Sequence, residues 1–296
     1  MKRSAKYPQR ILFLFVDGVG IRKVAPDNPI NKVNCPTLCD LLESHGIPID
    51  ATLGVPGLPQ SATGQATIFC GVNVAKEVGR HVSGFPGPHI REIVQRNNIF
   101  MELKRRGISC KFGNAYYVEI PPDMKNRRFL SVTTVMGLSV PESLSFKDDL
   151  HKNKAVAEDI IRAGIRDRGY MGPQIDPTSA ADHLFELSND YPFVLFEYFQ
   201  TDRSGHSKNP DQVVDVLRIC DIFLKRLLKR LKRSKTLLVV TSDHGNLEDL
   251  SVRTHTLNPV PLIACGPGEE HFRQGIMSLE GIMARVIETL EKREHA

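Results

Sequence analysis

The chain has 296 residues, of which 41% are hydrophobic and 25% charged, with a formal net charge of +5 and a pI near 8.9. Length and composition fit one large α/β domain, or a core with a modest insertion, and exclude a disordered or fibrous chain. The mild positive charge suits an anionic substrate and equally a basic surface without a specific partner, so it selects no partner by itself.

The first ten residues, MKRSAKYPQR, are basic, but the apolar run after them is only Ile11–Val16 and stops at Asp17. That is too short for a signal-peptide core or a membrane span, so a soluble cytoplasmic protein without a membrane partner is expected. Six cysteines (35, 39, 70, 110, 220 and 265) lack paired spacing, and Cys35 and Cys39 have no second pair to complete a zinc knuckle. Cys70, Cys220 and Cys265 sit in apolar runs and read as small core residues in a reducing compartment.

In chain order, Ile11–Val16 (ILFLFV) is a continuous apolar run, the pattern of a parallel strand covered on both faces. Asp17 stands at its carboxyl end, where open α/β sheets bind ligands, although an Asp-Gly turn explains it equally well. Cys35–Ser44 reads as a helix, with Pro36 near its first turn and Leu38, Leu41 and Leu42 on one face. A Gly/Pro loop follows from Gly54, and from Ser61 the residues become small before Ile68 and Phe69. A small hydroxyl at such a loop-to-helix junction serves as an N-cap or as a nucleophile beside the positive end of the helix.

Residues 76–98 carry Arg80, His81, His89 and Arg91 among glycines and prolines. Guanidinium and imidazole groups suit phosphate or carboxylate, so the segment is read as a candidate substrate loop, with plain surface loop as the alternative. Ile99–Arg106 predicts a helix closed by Gly107, and Ile108–Phe112 a short strand. Between Asn114 and Ser179 the pattern weakens. Tyr116–Arg128 reads as loop, Phe129–Val135 as a strand and Lys152–Ala163 as a helix closed by Gly164, with a turn-rich Gly169–Pro177 after it. A small lid or insertion within about 76–180 fits here, inside one domain spanning 1–296.

Ala180–Leu187 predicts a helix, and Pro192–Phe199 (PFVLFEYF) a second buried strand with Asp202 close behind it. Asp202 and His206 are spaced i, i+4, which places both on one side of a helical turn. Asp211–Lys232 predicts a long amphipathic helix. Its basic end, Lys225–Lys235, offsets the helix dipole and lacks interleaved aromatics, so no nucleic-acid partner is expected. Thr236–Val240 is a third buried strand, followed by Asp243 and His244, with His255 eleven residues later. Pro259–Cys265 predicts an edge strand and Ile276–Lys292 a closing helix.

Three apolar strands thus each lead to an aspartate (Asp17, Asp202, Asp243), and three histidines (His206, His244, His255) accompany the last two. Each has an ordinary explanation alone; six at corresponding strand ends share one less easily. Three carboxylates nearly balance two divalent cations once an anionic substrate binds. Mixed Asp/His ligation suits Zn²⁺ or Mn²⁺ rather than Ca²⁺ or Mg²⁺. Two such ions, roughly 3.5–4 Å apart, clamp an in-line displacement at phosphorus.

The motifs VDGVG (16–20), GLP (57–59), DRSGH (202–206), SDHGN (242–246) and THTLNPVP (254–261) resemble those of the alkaline phosphatase superfamily, nearest to the cofactor-independent phosphoglycerate mutases. The resemblance frames the chain and covers its middle poorly. It implies a three-layer αβα sandwich with a mostly parallel central sheet. It also implies one metal on Asp17, Asp243 and His244, and another on Asp202, His206 and His255. The implied nucleophile is a serine or threonine after the first strand. Ser61 fits, lying ten residues before Gly71 as the family pattern has it, with Thr63 as the rival and Thr67 behind; the mutases' usual GNS is missing. Sulfatases carry Pro and Arg soon after the nucleophile, and SATGQ (61–65) has neither.

The implied chemistry acts on a small phosphorylated substrate through a phosphoseryl intermediate. About 130 residues separate Gly71 from Asp202, and core elements use part of them. That leaves little room for the large insertion with which the mutases hold their dephosphorylated half. A phosphoric ester hydrolase is therefore the favoured expectation, with a phosphomutase as the alternative and a metal-free anion-binding relic as the third reading. Substrate identity and oligomeric state are not legible.

Overall fold

A computed structural model describes residues 7–117, 129–207, 209–232 and 234–295. The chain begins with β1 (Arg10–Val16), α1 (Pro36–His45) and β2 (Gly46–Ile49). Four helices follow: α2 (Ser61–Cys70), α3 (Val74–Val78), α4 (Pro88–Arg96) and α5 (Ile99–Arg105). Next come β3 (Cys110–Phe112), β4 (Ala115–Tyr116), α6 (Val132–Ser139), β5 (Ser145–Phe146) and α7 (Lys147–His151). The remainder is α8 (Pro177–Asp190), β6 (Phe193–Tyr198), α9 (Gln200–Ser207), α10 (Pro210–Leu231), β7 (Thr236–Thr241), β8 (Val260–Cys265), α11 (Glu269–Arg273) and α12 (Gly281–Glu291).

Six strands form one sheet in the order β2-β8-β7-β1-β6-β3. β1 pairs in parallel with β6 and β7, β3 pairs in parallel with β6, and β8 runs antiparallel between β7 and β2. Side chains alternate across a strand, so β1 feeds two cores. Ile11, Phe13 and Phe15 join a core with residues of α2, α4, α5, α6 and α12. Leu12, Leu14 and Val16 join a second core with residues of α1, α8 and α10. Burial on both faces is why β1, β6 and β7 are largely apolar rather than alternating. The result is the expected α/β sandwich with a mostly parallel central sheet.

Several elements differ from the sequence reading. Residues 76–98 are not simply loop: α3 begins after an Asn73 cap and α4 after Gly87, with Pro88 in its first turn. Phe129–Val135 is not a strand. The Ser131 side chain accepts from Thr134 N–H and starts α6, so a local cap overrides the β preference of its Val and Thr residues. Lys152–Ala163 is not a helix. α7 stops at His151, and Asn153, Ile160 and Arg162 take positive φ. Tertiary contacts impose that path: the buried Arg162 guanidinium donates to the Tyr170 hydroxyl, the Leu150 carbonyl and the Asn153 side chain.

This segment carries a small core of its own, including Tyr117, Leu150, Ile165 and Tyr170. β8 is interior, because the unforeseen β2 takes the edge and sets Pro48 opposite Pro261. The loop expected over Tyr116–Arg128 lies mostly outside the described residues. On α10 the basic end is paired with α8: Arg226 forks onto Asp182, and Arg230 reaches Asp182 and Glu186. Among the described residues, no helix is long and apolar enough to cross a membrane.

Candidate metal centre

β6, β1 and β7 are parallel neighbours, so their carboxyl ends align at one end of the sheet. Asp17 follows β1, Asp202 lies in the first turn of α9 just after β6, and Asp243 follows β7 by two residues. The Thr201 hydroxyl donates to the Asp17 carbonyl at 2.6 Å and fixes α9 on the end of β1. Gly18 allows the close approach. Its φ is +69°, and a Cβ there would lie 2.6 Å from Asp202 Oδ1.

Two clusters of ligand-type atoms result. Asp17, Asp243 and His244 form one, all buried: His244 Nε2 lies 3.4 Å from both Asp17 Oδ1 and Asp243 Oδ2. Asp202, His244 and His255 form the other. His206 joins its outer side, with Nε2 at 3.4 Å from Asp202 Oδ2 and 3.1 Å from His255 Nε2. The rings of His244 and His255 stack with centroids 3.7 Å apart. All six sequence-predicted ligands therefore meet at one place, and His244 stands between the two clusters.

Ser61 is the first residue of α2, and its Oγ lies 3.0 Å from His244 Nε2. The hydroxyl faces the cluster rather than capping its helix. Thr63 is fully buried, and its hydroxyl donates to the Gln60 carbonyl while accepting from Val82 N–H. Thr67 donates to the Thr63 carbonyl and caps Val74 N–H. Of the predicted substrate residues, Arg80 and His89 are exposed. His81 turns Nε2 toward the Val55 carbonyl at 3.2 Å. Arg91 donates to the Pro86 carbonyl and lines a cavity of about 280 Å³ beside Gln95, Leu130 and Val135.

The donor set fits divalent cations. Asp17 Oδ1 and Asp243 Oδ2 are buried with no hydrogen-bond partner, an arrangement that costs free energy unless a cation completes it. Burial first, and then the Asp243 carboxylate, hold Asp17 well above the usual carboxylate range. Burial and Asp202 push Asp243 up to about 7. Burial, aided by His255, lowers His244 to about 3, which keeps that imidazole neutral and able to ligate. His255 Nδ1 donates to the Pro59 carbonyl at 2.8 Å, which leaves its Nε2 lone pair facing the cluster.

Several supporting residues escaped the sequence reading. Gln65, one helical turn after Ser61, donates to Asp17 Oδ2 at 3.2 Å. Asn246 donates to Asp202 Oδ1 at 2.6 Å. Glu248, fully buried, accepts from the backbone N–H of Gly20 and Asn246 and from the side chains of Thr256 and Asn258. It ties the loops after β1 and β7 to the segment entering β8. Glu197 is held by the Thr133 hydroxyl at 2.7 Å, and burial pushes it up to about 7. A lone acid inside the apolar run of β6 was the available signal for it.

The family model described as Metalloenzyme superfamily matches residues 167–292, which carry five of the six clustered ligand candidates. The chain also aligns with the alkaline phosphatase of the Antarctic bacterium TAB5, at TM-score 0.61 and 16% identity over 97% of this chain and 99% of that one. The chain is similar to the alkaline-phosphatase-like metalloenzymes in sequence over residues 167–292 and in fold over nearly its whole length. The phosphonate monoester hydrolase of Silicibacter pomeroyi shares the fold at TM-score 0.54 and 12% identity, over 96% of this chain and 73% of that one.

In sequence, the chain is similar to proteins named 2,3-bisphosphoglycerate-independent phosphoglycerate mutase. That of Mycoplasma genitalium is 28% identical over 40% of this chain and 24% of its own length. That of Thermomicrobium roseum is 32% identical over 40% and 25%. The match therefore spans about a quarter of the length of these relatives.

Proposed function

We propose that the chain is a two-metal phosphoric ester hydrolase that works through a phosphoseryl intermediate on Ser61. The observation that carries it is the Ser61 hydroxyl 3.0 Å from His244 Nε2, beside two orphaned buried carboxylate oxygens. Asp17, Asp243 and His244 would hold one ion, and Asp202, His206 and His255 the other, Zn²⁺ or Mn²⁺ by their mixed N/O chemistry. When bound, such ions supply Lewis acidity toward phosphoryl oxygens and lower the pKa of hydroxyl groups.

Ser61 supplies the nucleophile: its hydroxyl gives up a proton to solvent, its oxygen bonds to phosphorus, and the ester oxygen departs with a proton from solvent. The first turn of α2 places its dipole toward the phosphoryl group. Water then cleaves the phosphoseryl ester, restoring the hydroxyl and releasing phosphate. Gln65 and Asn246 hold Asp17 and Asp202 in position throughout.

Hydrolysis is favoured over isomerisation by what lies between α2 and β6. Among the described residues this stretch builds helices on the sheet and one small satellite core, not a second domain able to keep a dephosphorylated substrate bound. The mutase reading rests on the sequence matches to the phosphoglycerate mutases. The full chain, assayed with Mn²⁺ or Zn²⁺, separates the two. We expect free phosphate from p-nitrophenyl phosphate and no isomerised product from 3-phosphoglycerate. Isomerisation without phosphate release would replace hydrolase with mutase. Fewer than two bound ions by native mass spectrometry, with no turnover, would leave only an anion-binding relic.

A further inference from the structure

Well away from the candidate metal centre, three ligand-type side chains converge: His45 at the end of α1, Cys265 at the end of β8 and Glu269 at the start of α11. β8 runs antiparallel to β7, with Cys265 opposite Leu238, so this cluster lies at the amino end of β7, not at the carboxyl end that presents Asp243. Leu238 and Asp243 are five residues apart along extended chain, on the order of 15 Å. We propose that His45, Cys265 and Glu269 form a structural zinc site, with water in the fourth position.

The geometry supports a tetrahedral ion. The three ligand atoms lie within 4.8 Å of one another, and His45 Nδ1 is 3.1 Å from Glu269 Oε2. Two ligands bound at about 2.0 Å on a tetrahedral ion stand about 3.3 Å apart. Thiolate, imidazole and carboxylate together select zinc over magnesium or calcium. All three residues are partly exposed, so an ion has access and a water can complete the shell.

The backbone is organised around the cluster. Gly266 N–H donates to Glu269 Oε2 at 3.0 Å, while Arg273 donates to the carbonyls of His45 and Ala264. The segments that carry the three ligands are thus fixed relative to one another before any ion arrives. Zinc uptake would displace the Cys265 thiol proton to solvent. Such an ion would pin the α1–β2 junction to the β8–α11 turn.

Cobalt(II) tests this directly, because the candidate metal centre contains no sulfur ligand. On titration of the full chain with Co²⁺, we expect a thiolate-to-cobalt charge-transfer band in the near ultraviolet and a third bound ion by native mass spectrometry. Cys265→Ser should remove the band and one ion while leaving the melting temperature of the metal-free protein and its phosphoester turnover unchanged. His45→Ala keeps the thiol and should weaken cobalt binding at this site roughly tenfold or more. Absence of the band at saturating Co²⁺, its persistence in Cys265→Ser, or unchanged affinity in His45→Ala would each overturn the site. These outcomes are independent of turnover at Ser61.

Discussion

Ser61 Oγ lies 3.0 Å from His244 Nε2, and the same nitrogen lies 3.4 Å from both Asp17 Oδ1 and Asp243 Oδ2. One hydroxyl therefore shares its position with a cluster of otherwise unsatisfied ligand atoms. Thr63, two residues on, spends its hydroxyl on Gln60 and Val82.

Ser61→Ala is expected to reduce phosphoester turnover by about 10³-fold or more while the protein still binds two ions, since it removes the nucleophile and no ligand. Thr63→Val should cost far less in turnover and show mainly as lower stability, through the part-buried Val82 N–H left unpaired. Steady-state kinetics with metal analysis checks both. Full activity in Ser61→Ala would move the nucleophile elsewhere.

Gly64 packs α2 against the residue Asp243 that follows β7. A Cβ there would lie 2.9 Å from both Asp243 Cβ and the Asp243 carbonyl oxygen. Gly64→Ala gains about 1 kcal/mol in helix propensity, but overpacking against backbone costs about 1–3 kcal/mol. The clash wins, because the atoms met are buried backbone and Cβ rather than the far end of a flexible side chain. Asp243 should shift, with weaker metal binding and a lower melting temperature, read by calorimetry and metal titration. Wild-type metal affinity in the variant would show the contact to be unimportant.

The metal-free protein should lose stability as pH rises from about 5 to 7. Asp17, Glu197 and Asp243 keep protons in the folded state, the last two up to about 7, that the unfolded chain has already lost. His244, lowered to about 3, works in the opposite direction between its folded and unfolded values. Three carboxyls against one imidazole leave the folded state with more protons, so stability falls with pH, by roughly 1–3 kcal/mol. Added Mn²⁺ or Zn²⁺ should reverse the slope, because its ligands bind deprotonated. Thermal melts in chelator and in metal would show this. A metal-free protein more stable at neutral than at mildly acid pH contradicts the assignment.

The sequence by itself determined the three central parallel strands and the six ligand types. The apolar runs at Ile11–Val16, Pro192–Phe199 (broken only by Glu197) and Thr236–Val240 have one stable use, a sheet covered on both faces, and polar residues at their ends have to face the carboxyl edge. Helices with a distinct stop or start, such as α1 and α10, were legible for the same local reason.

Only the tertiary structure decided what depends on neighbours distant in sequence. It put His244 between the two clusters and turned Ser61 toward it while tying Thr63 to Val82. It recruited Gln65, Asn246 and Glu248 as supports, and wound Lys152–Ala163 around the buried Arg162 instead of into a helix. It also brought His45 to Cys265 and Glu269 across 220 and 224 residues. Local propensity carries no information about such meetings, because the hydrogen bonds and charges that fix them exist only once the sheet has aligned its strand ends.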